Sequence, residues 1–210
     1  MDVAVFPVLD AVLFPGVSLP IQVFEERYWQ MVQDSQARGW PLAVSLVTPM
    51  GGDEFTLNPI CGAGRVQIFK DFSDGSSDIL VHGNQRVRLK SFVQQEPYFV
   101  MEAELVEPSV SINSKGMISF SEFTDLVKKW VFLNPIISDR LLSVFEGFKS
   151  FGELTDFFVF HFLKKVQDKQ LYLDCLDSIE RAEMLACFLE KDLARLKRKA
   201  VRSKQGLLMN

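Results

Sequence analysis

Three prolines and one glycine stand among large apolar residues within the first 20 positions of this chain. Proline fixes φ and has no main-chain N–H, whereas glycine alone enters positive φ freely. The segment is therefore expected to form short extended pieces joined by rigid corners, with its apolar side chains turned inward. A helix is predicted directly after it, over residues 25–38, and Gly39 is expected to end that helix.

The composition is that of a globular protein. Of 210 residues, 48% are hydrophobic and 24% are charged, and the net charge of −4 argues against a general affinity for polyanions. The chain begins without a basic segment, and its apolar stretches are shorter than the ~20 residues of a membrane span. These features predict a cytoplasmic protein with no membrane contact.

Cysteines and histidines are few and scattered. Cys61, Cys175 and Cys187 contain no C-x-x-C pair, so free thiols in a reducing compartment are predicted instead of disulfides or a zinc site. His82 and His161 are far apart and lack the spacing of metal ligands, and structural roles are predicted for both. We therefore expect no metal and no cofactor.

Residues 41–107 follow a β pattern. Apolar and alternating segments are separated by turn signals at residues 51–53 and 74–77. Residues 86–90 alternate charged and apolar side chains, which predicts a strand with one solvated face. Short strands at this spacing predict a small, closed or half-closed barrel.

Beyond residue 117 the apolar period becomes helical. Capping-box patterns begin at Ser119, Ser150 and Asp177, each with a glutamate three positions later. A further helix is predicted over residues 139–148, and a short one near 169–173. The second half is therefore predicted to be a helical bundle.

The opening segment resembles the start of the Lon N-terminal domain, the substrate-binding module that precedes the ATPase in Lon proteases. The family pattern is roughly an F-P-L, a V-L-F-P-G, an L-P-L and an I-F-E-x-R-Y, in this order. The chain matches these signature residues at Phe6, Pro7, Phe14, Pro15, Gly16, Pro20, Phe24, Glu25, Arg27 and Tyr28.

This resemblance implies an α+β fold, with a PUA-like small β-barrel subdomain followed by a C-terminal helical bundle. Residues 1–108 are then expected to form the β subdomain, with one helix near 25–38. Residues 109–116 are expected to be a connector, and residues 117–210 the α-helical subdomain with a basic C-terminal tail.

The sequence contains no recognisable catalytic motif. An ATPase and a serine–lysine protease domain do not fit after residue 200, so a stand-alone, non-enzymatic member of the family is expected. One G-x-x-x-x-G match, at residues 147–152, continues with Glu153 and Leu154 where a P-loop has Lys and Ser or Thr. A glutamate at that position would repel phosphate, and we predict no nucleotide binding and no catalytic residue.

Two features are candidates for binding. Glu25, Arg27 and Tyr28 would suit a polar contact with a bound chain, but the favoured interpretation is structural, with Arg27 paired to a carboxylate and Tyr28 packed beneath the proline-rich corner. The basic tail complements the dipole of the last helix and leaves RNA binding as a less favoured alternative. It consists of Lys191, Arg195, Lys197, Arg198, Lys199, Arg202 and Lys204.

The function predicted from the sequence is the binding of polypeptide segments that are unfolded or expose apolar side chains, as the resemblance implies. A cleft lined by Phe and Met side chains would suit such segments. Two alternatives stay open, an adaptor that docks on a protease or chaperone and a PUA-like RNA-binding module that uses the basic tail. The sequence does not identify the residues that contact the ligand.

Overall fold

The chain forms two compact units. Unit 1 consists of Met1–Glu107 and Asp156–Leu176, and unit 2 of Pro108–Thr155 and Asp177–Asn210. The predicted turn at residues 74–75, most of the predicted connector and most of the predicted helix over 139–148 lie outside the described residues. The computed structural model describes residues 1–52, 54–72, 76–107, 109, 118–133, 144–145 and 147–207, without the side chains of Asp71 and of residues 199–207.

The sheet of unit 1 closes on itself. Its strands run in the order β1-β7-β6-β5-β3-β4, and β1 also pairs in parallel with β3. Five strands thus form a ring, while β2 pairs with β6 and β4 forms a hairpin with β3. The predicted α+β class is confirmed and the barrel is closed. The strands are β1 (Asp2–Val8), β2 (Ser18–Val23), β3 (Leu42–Gly51), β4 (Glu54–Leu57), β5 (Ile60–Asp71), β6 (Ser77–Gln94) and β7 (Phe99–Val106).

The opening segment packs as the proline pattern predicts. β1 buries the side chains of residues 3–6, and Leu13 and Phe14 are fully buried. At the corner between β1 and β2, Gly16 has a φ of 79° and its N–H donates to the carbonyl of Gly83 at 2.9 Å. The segment therefore lines the barrel core and fixes its chain reversal at a position that favours glycine.

β6 extends well beyond the strand predicted over residues 86–90. It pairs in turn with β2, β5 and β7. The predicted solvated face is wrong at Arg86, whose side chain is only 4% exposed. The Arg86 guanidinium donates to both carboxylate oxygens of Asp156, at 2.7 and 2.9 Å, and its Nε donates to the carbonyl of Leu173 at 3.3 Å. Arg86 is buried because residues 156–173 bring a carboxylate and a carbonyl to it.

Unit 1 also contains helical segments that pack on the barrel. Helix α1 (Glu26–Arg38) buries Met31 and Val32 and ends at Gly39 in the left-handed conformation, as predicted. Part of α3 (Phe151–Phe162) and all of α4 (Val166–Asp174) belong to this unit. From α4, Gln170 Nε2 donates to the carbonyl of Ile60 at 2.9 Å.

Unit 2 is helical in its described residues, with α2 (Phe120–Phe132), the start of α3 and α5 (Ser178–Leu207). The predicted capping box at Ser119 and Glu122 is confirmed in both directions. Asp177 Oδ1 accepts hydrogen bonds from the first turn of α5, and Trp130 Nε1 of α2 donates to Asp192 of α5 at 2.9 Å. The capping-box patterns at Ser119 and Asp177 therefore predict the starts of α2 and α5 correctly.

The contacts group residues 156–176 with the sheet, whereas the sequence pattern grouped them with the other C-terminal helices. The buried Arg86–Asp156 pair and the Gln170 side chain explain this difference, because both bond residues of β6 or β5 across the sequence. The boundaries predicted for separate folding domains, and the PUA-like character of the barrel, stay predictions.

Tyr98 is expected to keep its proton to unusually high pH. Its side chain is buried and its hydroxyl donates to the carboxylate of Asp34, and burial followed by this bond raises the pKa of Tyr98 to about 12. An unfolded tyrosine titrates near pH 10, so this contribution to stability is complete below about pH 10 and is lost as the pH rises to about 12. Absorbance at 295 nm should show one of the three tyrosines titrating last, and Tyr98→Phe should remove that step. Ionisation of all three below pH 11 would contradict the prediction.

Candidate functional site

Most of the apolar signature residues serve the core and its corners. Phe6 and Phe14 are buried, and the Phe6 ring stacks on Tyr28 with centroids 4.6 Å apart. Pro7, Pro15 and Gly16 flank these buried positions. Pro20 and Phe24 differ, since Pro20 lies on the exposed side of β2 and Phe24 is 70% exposed.

The polar signature residues form a local cluster at the start of α1. Arg27 Nε lies 2.8 Å from a carboxylate oxygen of Glu25, and its guanidinium lies 4.7 Å from the centre of the Tyr28 ring. Both partners of the ion pair are about half exposed. Arg27 thus has the carboxylate partner that the structural interpretation requires, and a role of these residues in binding stays a prediction.

An open apolar groove lies beside the β3–β4 hairpin, and we call it the aromatic groove. It encloses about 560 Å³. Its side chains come from the hairpin on one side and from β6 and β7 on the other, chiefly Met50, Phe55, Leu57, Phe92, Phe99 and Met101. Unit 1 contains all of them.

Three phenylalanine rings form the wall of the aromatic groove. Phe99 contacts Phe55 at a centroid distance of 6.1 Å and Phe92 at 5.5 Å, both edge-on. Phe55 and Phe92 are nevertheless 40% and 48% exposed. Such partly exposed, mutually supported rings present a large apolar area at little further cost in side-chain entropy.

The barrel positions this groove. Leu89 and Met101 at its floor belong to the buried core cluster, and Leu57 and Phe99 pack against that cluster. On the other side, Gly51 and Gly52 adopt positive φ and turn the chain from β3 into β4. The groove therefore has a rigid floor of close-packed core side chains, and the β3–β4 hairpin forms one of its sides.

Charges and a methionine form the rim of the aromatic groove. Lys90 lines it and lies 2.9 Å from Glu104, which also lies 3.3 Å from Arg88. Glu54 lines the groove at the start of β4. Met50 is 69% exposed, and its sulfur accepts a hydrogen bond from Thr56 Oγ1 at 2.8 Å.

A second apolar hollow, the β2 hollow, lies where β2 pairs with β6. It encloses about 510 Å³ and is lined mainly by Pro20, Ile21, Phe69, Ile79 and Leu80. Phe69 is 76% exposed. This hollow contains one signature residue and a single aromatic side chain, whereas the aromatic groove has three rings in contact.

Sequence reasoning did not find the aromatic groove. The sequence pattern predicts a loop or loose hairpin around Phe55, and Phe92 lies just beyond the strand predicted over residues 86–90. One signal was present, because Phe92 and Val93 are consecutive apolar residues after an alternating strand, so at least one of them had to face solvent or a ligand. Both are exposed.

The two histidines are engaged within the protein. His82 Nδ1 lies 2.7 Å from Ser18 Oγ and its Nε2 lies 3.2 Å from Gln67 Oε1, which links β2, β6 and β5. His161 contacts the rings of Phe157 and Phe160, and burial, with a smaller effect of nearby Lys169, lowers its pKa. In the described part of the chain, no group of three or more His, Cys, Asp or Glu side chains is arranged to hold a metal ion.

The three cysteines and the P-loop-like segment are further candidates from the sequence. In the described part of the chain Cys61, Cys175 and Cys187 form no disulfide bond, and burial raises the pKa of Cys61 to about 12. In the P-loop-like segment, Glu153 accepts a hydrogen bond from the N–H of Lys149 at 3.2 Å and so caps the start of α3. None of the helices in the described ranges is long and apolar enough to cross a bilayer.

The basic tail is helical through residue 207. Arg195 lies 2.5 Å from the carboxylate of Asp192, and Arg198 donates to the carbonyl of Ala194 at 3.2 Å. Lys191 and Lys197 are exposed. The side chains of Lys199, Arg202 and Lys204 lie outside the described residues, so the tail as a nucleic-acid surface stays a prediction.

Comparison with known proteins relates this chain to one family. Residues 2–191 match the family described as the ATP-dependent protease La (LON) substrate-binding domain. Lon protease from Dictyoglomus thermophilum is 26% identical over 195 residues, covering 90% of this chain, and Lon protease from Azospirillum brasilense is 27% identical over 195 residues, covering 89%. The match covers 24% of each of these relatives, so the chain spans about a quarter of their length.

Solved structures show the same fold. The N-terminal domain of Mycobacterium avium complex Lon protease superposes with a TM-score of 0.72 at 16% identity, covering 90% of this chain and 98% of that one. A Lon N-terminal domain protein from Xanthomonas campestris gives a TM-score of 0.66 at 17% identity, covering 89% and 98%. The matched region of the relatives is their substrate-binding domain, not a catalytic domain.

Proposed function

The chain belongs to the family of Lon substrate-binding domains, and we propose that it binds unfolded polypeptide segments in the aromatic groove without catalysing a reaction. The observation that carries this proposal is the set of three contacting phenylalanines, two of them about half exposed, over a rigid apolar floor. We further propose that it acts in the cytoplasm.

The chemistry of the aromatic groove favours unfolded chains over folded ones. A folded protein keeps its large apolar side chains inside, while an unfolded segment presents them. Each aromatic ring can bury some 150–250 Å² in a contact, and apolar burial contributes about 25 cal/mol per Å² before the costs of association. Flexible Met50 at the rim suits a site that accepts varied side chains.

Binding to three ligands tests the proposal. Reduced, carboxymethylated α-lactalbumin cannot refold and serves as the unfolded ligand, its native form as the folded ligand, and a structured RNA hairpin as the third. We expect the chain to bind the carboxymethylated α-lactalbumin and neither of the other two ligands. Equal indifference to all three would overturn the proposal and favour an adaptor, and a preference for the RNA that falls steeply with salt would favour nucleic-acid binding.

The double variant Phe55→Ala/Phe92→Ala is expected to weaken binding of the unfolded ligand at least about tenfold, because truncating a central aromatic contact costs on the order of 1–2 kcal/mol. Isothermal titration measures the loss. Phe69→Ala is the matched control, since Phe69 is more exposed than either residue but lies in the β2 hollow. Loss of binding in the control alone would assign the site to the β2 hollow instead.

A further inference from the structure

The open edge of β4 lies along the aromatic groove. In the described part of the chain, β4 pairs only with β3 and stands at the end of the strand order. The edge residues of β4 also line the groove. A strand edge presents main-chain donors and acceptors at about 3.3 Å per residue, which an extended peptide can match.

The ladder register indicates which main-chain groups face the open edge. The N–H of Asn58 donates to the carbonyl of Leu46, which makes this pair a hydrogen-bonded one. Hydrogen-bonded and non-hydrogen-bonded pairs alternate in an antiparallel ladder, so Thr56 bonds to β3 while Phe55 and Leu57 do not. The main-chain N–H and C=O groups of Phe55 and Leu57 therefore point away from β3, toward the open edge.

Pro49 agrees with this register. It lies opposite Phe55 in the β3–β4 ladder. Proline has no N–H to donate, and at a non-hydrogen-bonded position of the ladder none is needed. The hairpin thus leaves two residues of β4, spaced two apart, with their main-chain groups available to an added strand.

The charges at the two ends of the groove have opposite signs. Glu54 lies at the start of β4, beside the hairpin turn. Lys90 lies toward the other end of β4, because the N–H of neighbouring Leu89 donates to the carbonyl of Pro59 at 2.8 Å. Arg88 and Lys90 share the single carboxylate of Glu104, so this three-residue cluster keeps one net positive charge.

We propose that the occupant of the aromatic groove is an extended polypeptide segment that adds to β4 as an antiparallel strand, with an acidic residue at its N-terminal end and a basic residue at its C-terminal end. This inference rests on the proposed function. An antiparallel addition continues the antiparallel pairing of β3 with β4, which is slightly more stable per residue than a parallel pairing. Such a strand begins near Lys90 and ends near Glu54, so these charges complement the groove. Its alternate apolar side chains face Phe55, Phe92 and Phe99.

Two peptides of identical composition test the direction. They are acetylated and amidated Asp-Phe-Thr-Leu-Thr-Val-Lys and Lys-Phe-Thr-Leu-Thr-Val-Asp, each carrying a fluorophore for anisotropy. The first is expected to bind about threefold more tightly at low salt, as two exposed charge pairs permit. The exchanged variant Glu54→Lys/Lys90→Glu should invert this preference. If the two peptides bind with equal affinity to the wild-type protein, and again to the variant, the assignment of charge and direction is overturned.

N-methylation of the preferred peptide tests strand addition independently of any variant of the protein. Methylation at alternate residues removes N–H groups that face β4 and is expected to weaken binding about three- to tenfold, while methylation at the intervening residues is tolerated. A flat profile in a peptide that still binds would overturn strand addition and leave the proposed function intact. If neither peptide binds while the unfolded protein does, the inference fails alone; if the unfolded protein is also not bound, both fail.

Discussion

Asp156→Ala is expected to lower the free energy of unfolding by about 3–5 kcal/mol, because it leaves a buried arginine without its carboxylate. Arg86 is 4% exposed and donates two short hydrogen bonds to Asp156, which is itself buried. A guanidinium in this position cannot lose its proton to escape the cost. The shift in the urea midpoint, followed by far-UV circular dichroism, measures the effect.

Arg88→Met is the matched control for this prediction. Arg88 stands two residues along the same strand and pairs with Glu104, but both side chains are exposed. Such surface pairs contribute about 0–1 kcal/mol. A second variant, Arg86→Met/Asp156→Leu, removes both charges and should recover much of the loss. Equal midpoints for Asp156→Ala and Arg88→Met would show that the buried pair does not hold unit 1 together.

Gly64→Ala is expected to cost about 4 kcal/mol or more and to prevent normal folding of the barrel. A Cβ at this position would lie 1.7 Å from the carbonyl oxygen of His82 and 2.6 Å from its carbonyl carbon. These are main-chain atoms of the neighbouring strand, at a point where the β5–β6 register shifts, so a side-chain rearrangement cannot relieve the clash. The variant should be recovered as insoluble protein or with a strongly lowered melting temperature.

Gly16→Ala is the control for this steric clash, because it tests only the cost of a positive φ. Gly16 has a φ of 79°, but no atom lies within 4 Å of a Cβ placed there. Only the cost of a left-handed residue remains, about 1–2 kcal/mol. Gly16→Ala is therefore expected to fold with a lower midpoint. A Gly64→Ala protein as stable as Gly16→Ala would mean that β5 and β6 separate locally without penalty.

Local features of the fold were predictable because interactions between residues close in sequence determine them. The capping box at Ser119, the end of α1 at Gly39 and the β pattern between residues 41 and 107 depend on near neighbours in sequence. The family resemblance depended on the same kind of local signal, since few residue types other than proline and glycine fit the backbone of the corner around Pro15 and Gly16.

Long-range partners were not predictable in the same way. Arg86 reads as a solvated strand residue, and only the fold brings Asp156, 70 positions away, to its guanidinium. The aromatic groove is a similar case, because no spacing rule brings Phe55, Phe92 and Phe99 together. The consecutive apolar residues Phe92 and Val93 indicate an exposed apolar side chain, but the placement of the hairpin beside the barrel decides which rings form the groove.

Unit 1 is built from two separate stretches of chain, and this sets the order in which its parts can assemble during synthesis. β1 leaves the ribosome first, yet its partners are β3 and β7, so the ring cannot close before residue 102 has been made. The carboxylate that neutralises Arg86 comes later still, at residue 156. At about 5–20 residues per second, the half-built barrel leaves Arg86 without its carboxylate partner, and without the residues that bury it, for several seconds. A nascent chain of this protein is thus itself an incompletely folded polypeptide until its second segment arrives.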